Sequence, residues 1–212
     1  MSNLRGTVRL TGVAVRAMLV LTLVLGVGYT LAITGIGQLL LPWQANGSQV
    51  DAKDRPIGGL LGGGSSTGSL LLGQSFADAK GNALPQYFQP RPSAAGDGYD
   101  PRSSGGSNLG PNNPALVKAI AERRAVIAAR EQVAESAVPA DAVTASASGL
   151  DPQISPAYAL LQVDRVAKAR GLDASTVRRL VESKMQTRDL GFLGEPRVNV
   201  VDLNLALDAL QR

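Results

Sequence analysis

Residues 17–41, AMLVLTLVLGVGYTLAITGIGQLLL, carry no charge, and nothing else in this 212-residue chain limits its fold as sharply. As a helix the run is about 37 Å long, against a bilayer hydrocarbon core of about 30 Å. A helix of that length crosses a membrane with some tilt. Pro42 ends the run, and Trp43 follows where an interfacial indole would anchor. Arg5, Arg9 and Arg16 precede the run with no acid beside them, whereas past it Lys53 and Arg55 come with Asp51 and Asp54. This asymmetry predicts a cytoplasmic N-terminus over residues 1–16 and a single span, with everything after Trp43 outside. A cleaved signal peptide is the competing reading. Its apolar core would be about 7–15 residues, and Pro-Trp-Gln-Ala-Asn lacks its small-x-small cleavage pattern. Within the run Gly26, Gly28, Thr30, Ala32, Thr34, Gly35 and Gly37 are small. They fit either close approach of a partner helix or the ordinary abundance of glycine in spans.

Composition removes most catalytic schemes. There is no cysteine and no histidine, so disulfides, zinc or haem sites of the N/S type, and Ser–His or Cys–His nucleophile pairs are excluded. The net charge of +4 comes mostly from the three N-terminal arginines. The remainder is nearly neutral and offers no basic face to nucleic acid. Asp97, Asp100 and Asp151 are carboxylates an independent enzyme could use, but their spacing defines no acid pair.

Beyond the span, residues 42–68 read as a polar linker ending in a glycine-rich loop. Asn46-Gly47-Ser48 matches a glycosylation sequon or a plain turn. The tract from Gly58 to Gly68 includes a stretch, Gly59 to Ser65, that imitates a phosphate loop without its lysine. Residues 69–212 predict a small α/β domain. Leu70-Leu71-Leu72 predicts a buried strand and Val143-Thr144 a second, and a long irregular stretch runs from Pro85 to Pro114. Asn113-Pro114 and Ser155-Pro156 are helix starts, Asp173 caps a further helix, and Gly171 is a helix stop. Leu160, Val163, Val166 and Ala167 form one apolar stripe. Val198–Val201 alternates like a strand, and Leu203, Leu207 and Leu210 form a last helical face. The expected fold class is α/β: one N-terminal transmembrane helix, then a small extracytoplasmic α/β domain.

Six motifs make the chain recognisable. They are Pro42-Trp-Gln-Ala-Asn-Gly-Ser48, Gly68-Ser-Leu-Leu-Leu-Gly-Gln74 with Phe76, and Tyr87-Phe-Gln-Pro-Arg-Pro-Ser93. Next come Gly105-Gly-Ser-Asn-Leu-Gly-Pro-Asn-Asn-Pro114, Val143-Thr-Ala-Ser-Ala-Ser-Gly-Leu-Asp151 with Ile154-Ser-Pro156, and Val198-Asn-Val-Val-Asp-Leu-Asn204. In this order they resemble the C subunit family of the bacterial potassium-transporting P-type ATPase, the Kdp system. The long glycine tract and Gln153, where histidine is frequent, depart from the family pattern. The resemblance implies a non-catalytic accessory subunit in the bacterial inner membrane, its C-terminal domain periplasmic or extracellular. It implies a four-subunit pump in which a channel-like subunit binds potassium, a P-type subunit hydrolyses ATP, and the C subunit is needed for assembly and activity. It also implies an alternative role, a catalytic chaperone that raises the ATP affinity of the hydrolysing subunit through a shared nucleotide. ATP would then be reached only through that subunit.

Two groups of residues are candidates for function. Thr144, Ser146, Ser148 and Gly149 lie before a helix start, where exposed amides hold an anion or a nucleotide; tight packing through small side chains is the other reading. Tyr87, Arg91, Ser107, Asn108 and Asn113 are candidates for docking on the channel-like subunit. Arg91, fixed between Pro90 and Pro92, suits a carboxylate in its own chain or in a partner. Ser107, Asn108 and Asn112 equally suit internal satisfaction of a loop, and Asn199 and Asn204 suit the tying of strand and helix ends. No metal site is expected.

Overall fold

The computed structural model describes residues 2–51, 56–57 and 68–210. Lys53, Asp54 and Arg55 and the glycine tract 58–67, with its phosphate-loop imitation, lie outside the described residues. The chain divides into two compact units, one reaching Ser48 and the other taking in Gln49, Val50 and residues 68–210.

In the first unit α1 (Ser2–Leu21), a π-helical segment (Thr22–Tyr29) and α2 (Thr30–Leu40) follow one another without a break in helical backbone. Its stretch Gly6–Leu40 is long and apolar enough to cross a membrane, and none of it is buried within the chain. The helix thus begins well before the uncharged run and carries Arg9 and Arg16. The π geometry usually occupies a single turn; here it covers Gly26 and Gly28, and nothing in the residue types explains it. Leu41 leaves the helical region, with φ −135°, and Pro42 opens the one-turn α3 (Pro42–Ala45). Asn46-Gly47-Ser48 is a turn: Asn46 Nδ2 donates to the Pro42 carbonyl (2.6 Å) and to Gln38 Oε1 (2.9 Å).

The second unit mixes helices with very short strands. β1 (Gln49–Val50) pairs antiparallel with β3 (Gly68–Ser69), Val50 opposite Gly68; β2 (Pro56–Ile57) is another two-residue strand. The expected strand at 70–72 is not there. These residues form a turn directly after β3, with Leu71 and Leu72 exposed, because the apolar run finds no strand to pair with and no core to enter. α4 (Pro114–Glu131) starts on Asn113, whose side chain accepts from the Ala115 amide. A one-turn 3-10 helix (Glu135–Ala137) and α5 (Ala140–Val143) follow. Val143 closes α5 instead of forming a strand with Thr144: Pro139 precedes a helical turn, and the Thr144 amide bonds back to Ala140.

β4 (Gln153–Ile154), β5 (Met185–Gln186) and β6 (Arg197–Asn199) make an antiparallel sheet in the order β4-β6-β5. Ile154 and Met185 both pair with Val198. Around it pack α6 (Pro156–Leu161), α7 (Val163–Arg170), α8 (Ala174–Ser183) and α9 (Val200–Ala209). Ser155 and Asp173 cap α6 and α8, and Gly171 ends α7 at φ +66°, a left-handed conformation that glycine adopts without a Cβ clash. The alternation of 198–201 ends early because Asn199 caps α9, accepting from the amides of Val201 and Asp202. Val163, Val166, Val177, Val181, Leu203 and Leu207 fill the core, whereas Leu210 is exposed. One aromatic residue of the irregular stretch, Phe88, is buried among them.

Candidate partner-binding surface

Residues 85–93 cannot take a place inside a sheet, because Pro85, Pro90 and Pro92 supply no amide to a ladder. Their remaining backbone groups still need partners when buried, and side chains from the helices provide them. Asn204, inside α9, accepts the Phe88 amide on Oδ1 and donates from Nδ2 to the Phe88 carbonyl, both at 2.9 Å. Gln162, between α6 and α7, does the same for Gln89 at 2.7 and 3.1 Å. Arg165 donates to the carbonyls of Pro85 (2.5 Å) and Tyr87 (3.1 Å), and Arg170 to that of Gln86 (2.7 Å). The segment is a strap laid over the helices and fastened residue by residue.

Beneath it lies a buried ionic cluster. Glu131, its side chain 0% exposed, pairs with Arg130 at 2.7 Å and Arg165 at 2.9 Å, and Arg130 also donates to the Tyr158 hydroxyl at 3.0 Å. Burial raises the Tyr158 phenol above its ordinary value, against the pull of Arg130. Burial, reinforced by Asp151, likewise pushes the Tyr99 phenol above 10.0. Tyr99 is therefore a neutral donor, and it donates to the Arg91 carbonyl at 2.8 Å.

Arg91 turns to the loop at 144–151. Its guanidinium pairs with Asp151 at 3.2 Å and reaches the carbonyls of Thr144 and Ala145, both at 3.4 Å. The pairing is internal to the chain. Thr144, Ser146, Ser148 and Gly149 all lie on this loop, and the first three line a groove with Arg91 and Asp151. Their polar groups are already engaged. The Thr144 hydroxyl donates to the Ala140 carbonyl, the Ser146 hydroxyl accepts from the Asp151 amide, and the Ser148 hydroxyl accepts from the Leu150 amide. The amides of Ser146 and Gly149 donate to the carbonyls of Pro92 and Ser146. Gly149 has φ +70°, and a Cβ there would stand 2.6 Å from the Ala95 Cβ and 2.7 Å from the Gly105 carbonyl. Small side chains let the loop pack against the stretch that follows the strap.

Tyr87 belongs to a different place. Its ring lies under the Arg170 guanidinium (4.7 Å to the centroid) and beside Phe76 (5.4 Å), and Arg170 continues to Asp208 at 2.6 Å. Ser107 and Asn108 are exposed, Asn108 at φ +52°, and Asn113 is the α4 cap. The structure therefore joins Arg91 to the 144–149 group and leaves Tyr87 on another face. Asn199 does tie a strand end to a helix start, and its Nδ2 also donates to the Leu70 carbonyl at 2.7 Å. Asn204 instead works from the middle of a helix. Gln162, Arg165 and Glu131 were not marked by any motif; a polar residue on an apolar stripe, as Gln162 is between Leu161 and Val163, was the available signal. Asp100 accepts from the Arg102 amide and from Ser103, and among the described residues no group of His, Cys, Asp or Glu could hold a metal ion.

Comparison with known proteins accounts for nearly the whole chain. The family model described as K+-transporting ATPase, c chain, matches residues 11–209. The potassium-transporting ATPase KdpC subunit of Beijerinckia indica is 50% identical over 193 residues, covering 91% of this chain and 90% of that one. The KdpC subunit of Geobacter sulfurreducens is 46% identical over 199 residues, covering 93% and 96%. That of Mycobacterium tuberculosis is 48% identical over 200 residues, again 93% and 96%. With the strap, the 144–151 loop and the uncharged run at 17–41 all inside the matched region, the chain belongs to the KdpC family, the C subunit of the multi-subunit potassium-transporting ATPase.

Proposed function

We propose that this chain is a non-catalytic accessory subunit that holds the pump together and is needed for its activity. Its N-terminal helix spans the inner membrane with Arg5, Arg9 and Arg16 on the cytoplasmic side, as the charge asymmetry of the span favours. The folded domain stands outside, docked on the potassium-binding channel-like subunit, with the ATP-hydrolysing subunit as its other companion. The observation that carries this reading is the fastening of the strap. Residues 85–89 have backbone groups served by Asn204, Gln162, Arg165 and Arg170, so the strap presents a fixed relief of the kind protein recognition needs, at little ordering cost.

The groove at 144–151 supports packing better than nucleotide binding. The Thr144 hydroxyl and the Ser146, Gly149, Leu150 and Asp151 amides donate within the chain, the Ser146 and Ser148 hydroxyls accept there, and Arg91 is paired with Asp151. The domain thus acts on ATP hydrolysis through its companions and not through a phosphate of its own. Affinity purification through a tag on this chain from native membranes tests the proposal. Potassium-stimulated ATPase activity should elute with the chain, and a protease added outside spheroplasts should digest the folded domain. A chain that elutes alone, or a domain cut only after the cells are opened, overturns it.

A further inference from the structure

The ten-residue connection between β5 and β6 does the opposite of the strap. At its tip Leu190 is 83%, Phe192 70% and Leu193 49% exposed, a contiguous apolar cluster that contributes nothing to the core of its own domain. The tip is nevertheless built and braced. Asp189 and Leu193 exchange two backbone hydrogen bonds at 2.9 Å, the Gly191 amide donates to the Arg188 carbonyl, and the Phe192 amide donates to that of Asp189. Two ion pairs clamp the base, Arg188 with Glu195 at 2.8 Å and Arg197 with Asp189 at 3.1 Å. Leu190 sits at φ +54°, where an L side chain is strained. The turn therefore holds a large apolar side chain outwards against its local preference.

We infer that Leu190, Phe192 and Leu193 form a hydrophobic knob that inserts into an apolar cleft on a companion subunit of the same ATPase. This rests on the reading of the chain as a docked accessory subunit and adds where the docking energy is concentrated. The surroundings select that occupant. Both flanking arginines are compensated by an acid within the loop, so the tip carries no surplus cation to attract anionic lipid headgroups. A second copy of the chain fits poorly. Three side chains on a convex turn cannot meet their own symmetry mates over the roughly 1,000 Å² that a stable interface needs, whereas a knob in a cleft concentrates binding in a few desolvated anchors.

The test uses the full chain in its native assembly. A benzophenone-bearing phenylalanine is placed at position 192, membranes are irradiated, and the adduct is identified by mass. The expected product joins this chain to a companion subunit. In parallel, the triple variant Leu190→Ser, Phe192→Ser, Leu193→Ser should keep the wild-type circular dichroism and unfolding midpoint, since nothing of the core is removed. It should hold its companions about thirtyfold more weakly in a titration that restores assembly to membranes lacking the chain. Adducts with lipid only, with a second copy only, or no adduct overturn the inference, as does a triple variant that assembles like wild type. If those results come while the wild-type chain still brings down the ATPase, the docking lies elsewhere and only the knob falls. If the wild-type chain brings down nothing, the reading of function falls with it.

Discussion

The strap at 85–93 and the hairpin at 187–196 are both irregular, and both carry proline, which supplies no amide to a ladder: Pro85, Pro90 and Pro92 in the one, Pro196 in the other. They resolve that irregularity in opposite directions. The strap turns its apolar residue inwards, Phe88 being 0% exposed, and its backbone is served by side chains from α7, α9 and Gln162. The hairpin bonds to itself and turns its apolar residues outwards. The contrast shows that burial of polar backbone, not sequence irregularity, separates a segment the fold depends on from one the fold can do without.

Mutations should divide along the same line. The largest effect is expected under the strap. Glu131→Ala leaves Arg165 and Arg130 uncompensated in a buried cluster and should lower stability by about 4 kcal/mol, read from chemical denaturation of the full chain in detergent. Asn204→Ala strands both Phe88 backbone groups and should cost about 3 kcal/mol in the same assay; a loss as small as a surface change would mean that the strap is held by something else.

Acid should act more gently, at caps and turns. Asp78, Asp100 and Asp173 are held below the ordinary 3.8 chiefly by Asn82, by the Arg102 amide and by Ser175 respectively. A carboxyl whose folded value lies below its unfolded one stabilises the fold above the unfolded value and loses that contribution as pH falls through the folded one. Stability should therefore be flat near neutrality and fall below about pH 4, with Asp173→Asn flattening part of that fall. The smallest effect belongs to the hairpin: replacing Leu190, Phe192 and Leu193 with serine should change stability by less than about 0.5 kcal/mol. A loss comparable to that of Asn204→Ala would erase the distinction between the two segments.

What the sequence made legible was what depends on near neighbours. Asn113, Ser155 and Asp173 cap helices, and Gly171 ends one, because an N-cap oxygen and a left-handed glycine act within three residues. The apolar run of the N-terminal helix is equally local. The strands expected at 70–72 and 143–144 do not form, because a strand needs a partner that residue types do not supply. Leu71 and Leu72 end up on a turn, and Val143 in a helical turn after Pro139. Asn204 and Gln162 look like flaws in apolar stripes until their partners are known, and those lie 116 and 73 residues away in the chain. Arg91 was legible as a carboxylate partner, but that Asp151 is the carboxylate is a fact of the tertiary fold.

An accessory subunit of this kind is one that its companions require. Potassium-stimulated ATP hydrolysis, measured on the assembly purified from cells lacking this chain and again after the purified full chain is added back, tests that directly. The expected result is little or no stimulation without the chain and recovery when it returns; full stimulation in its absence would contradict the account.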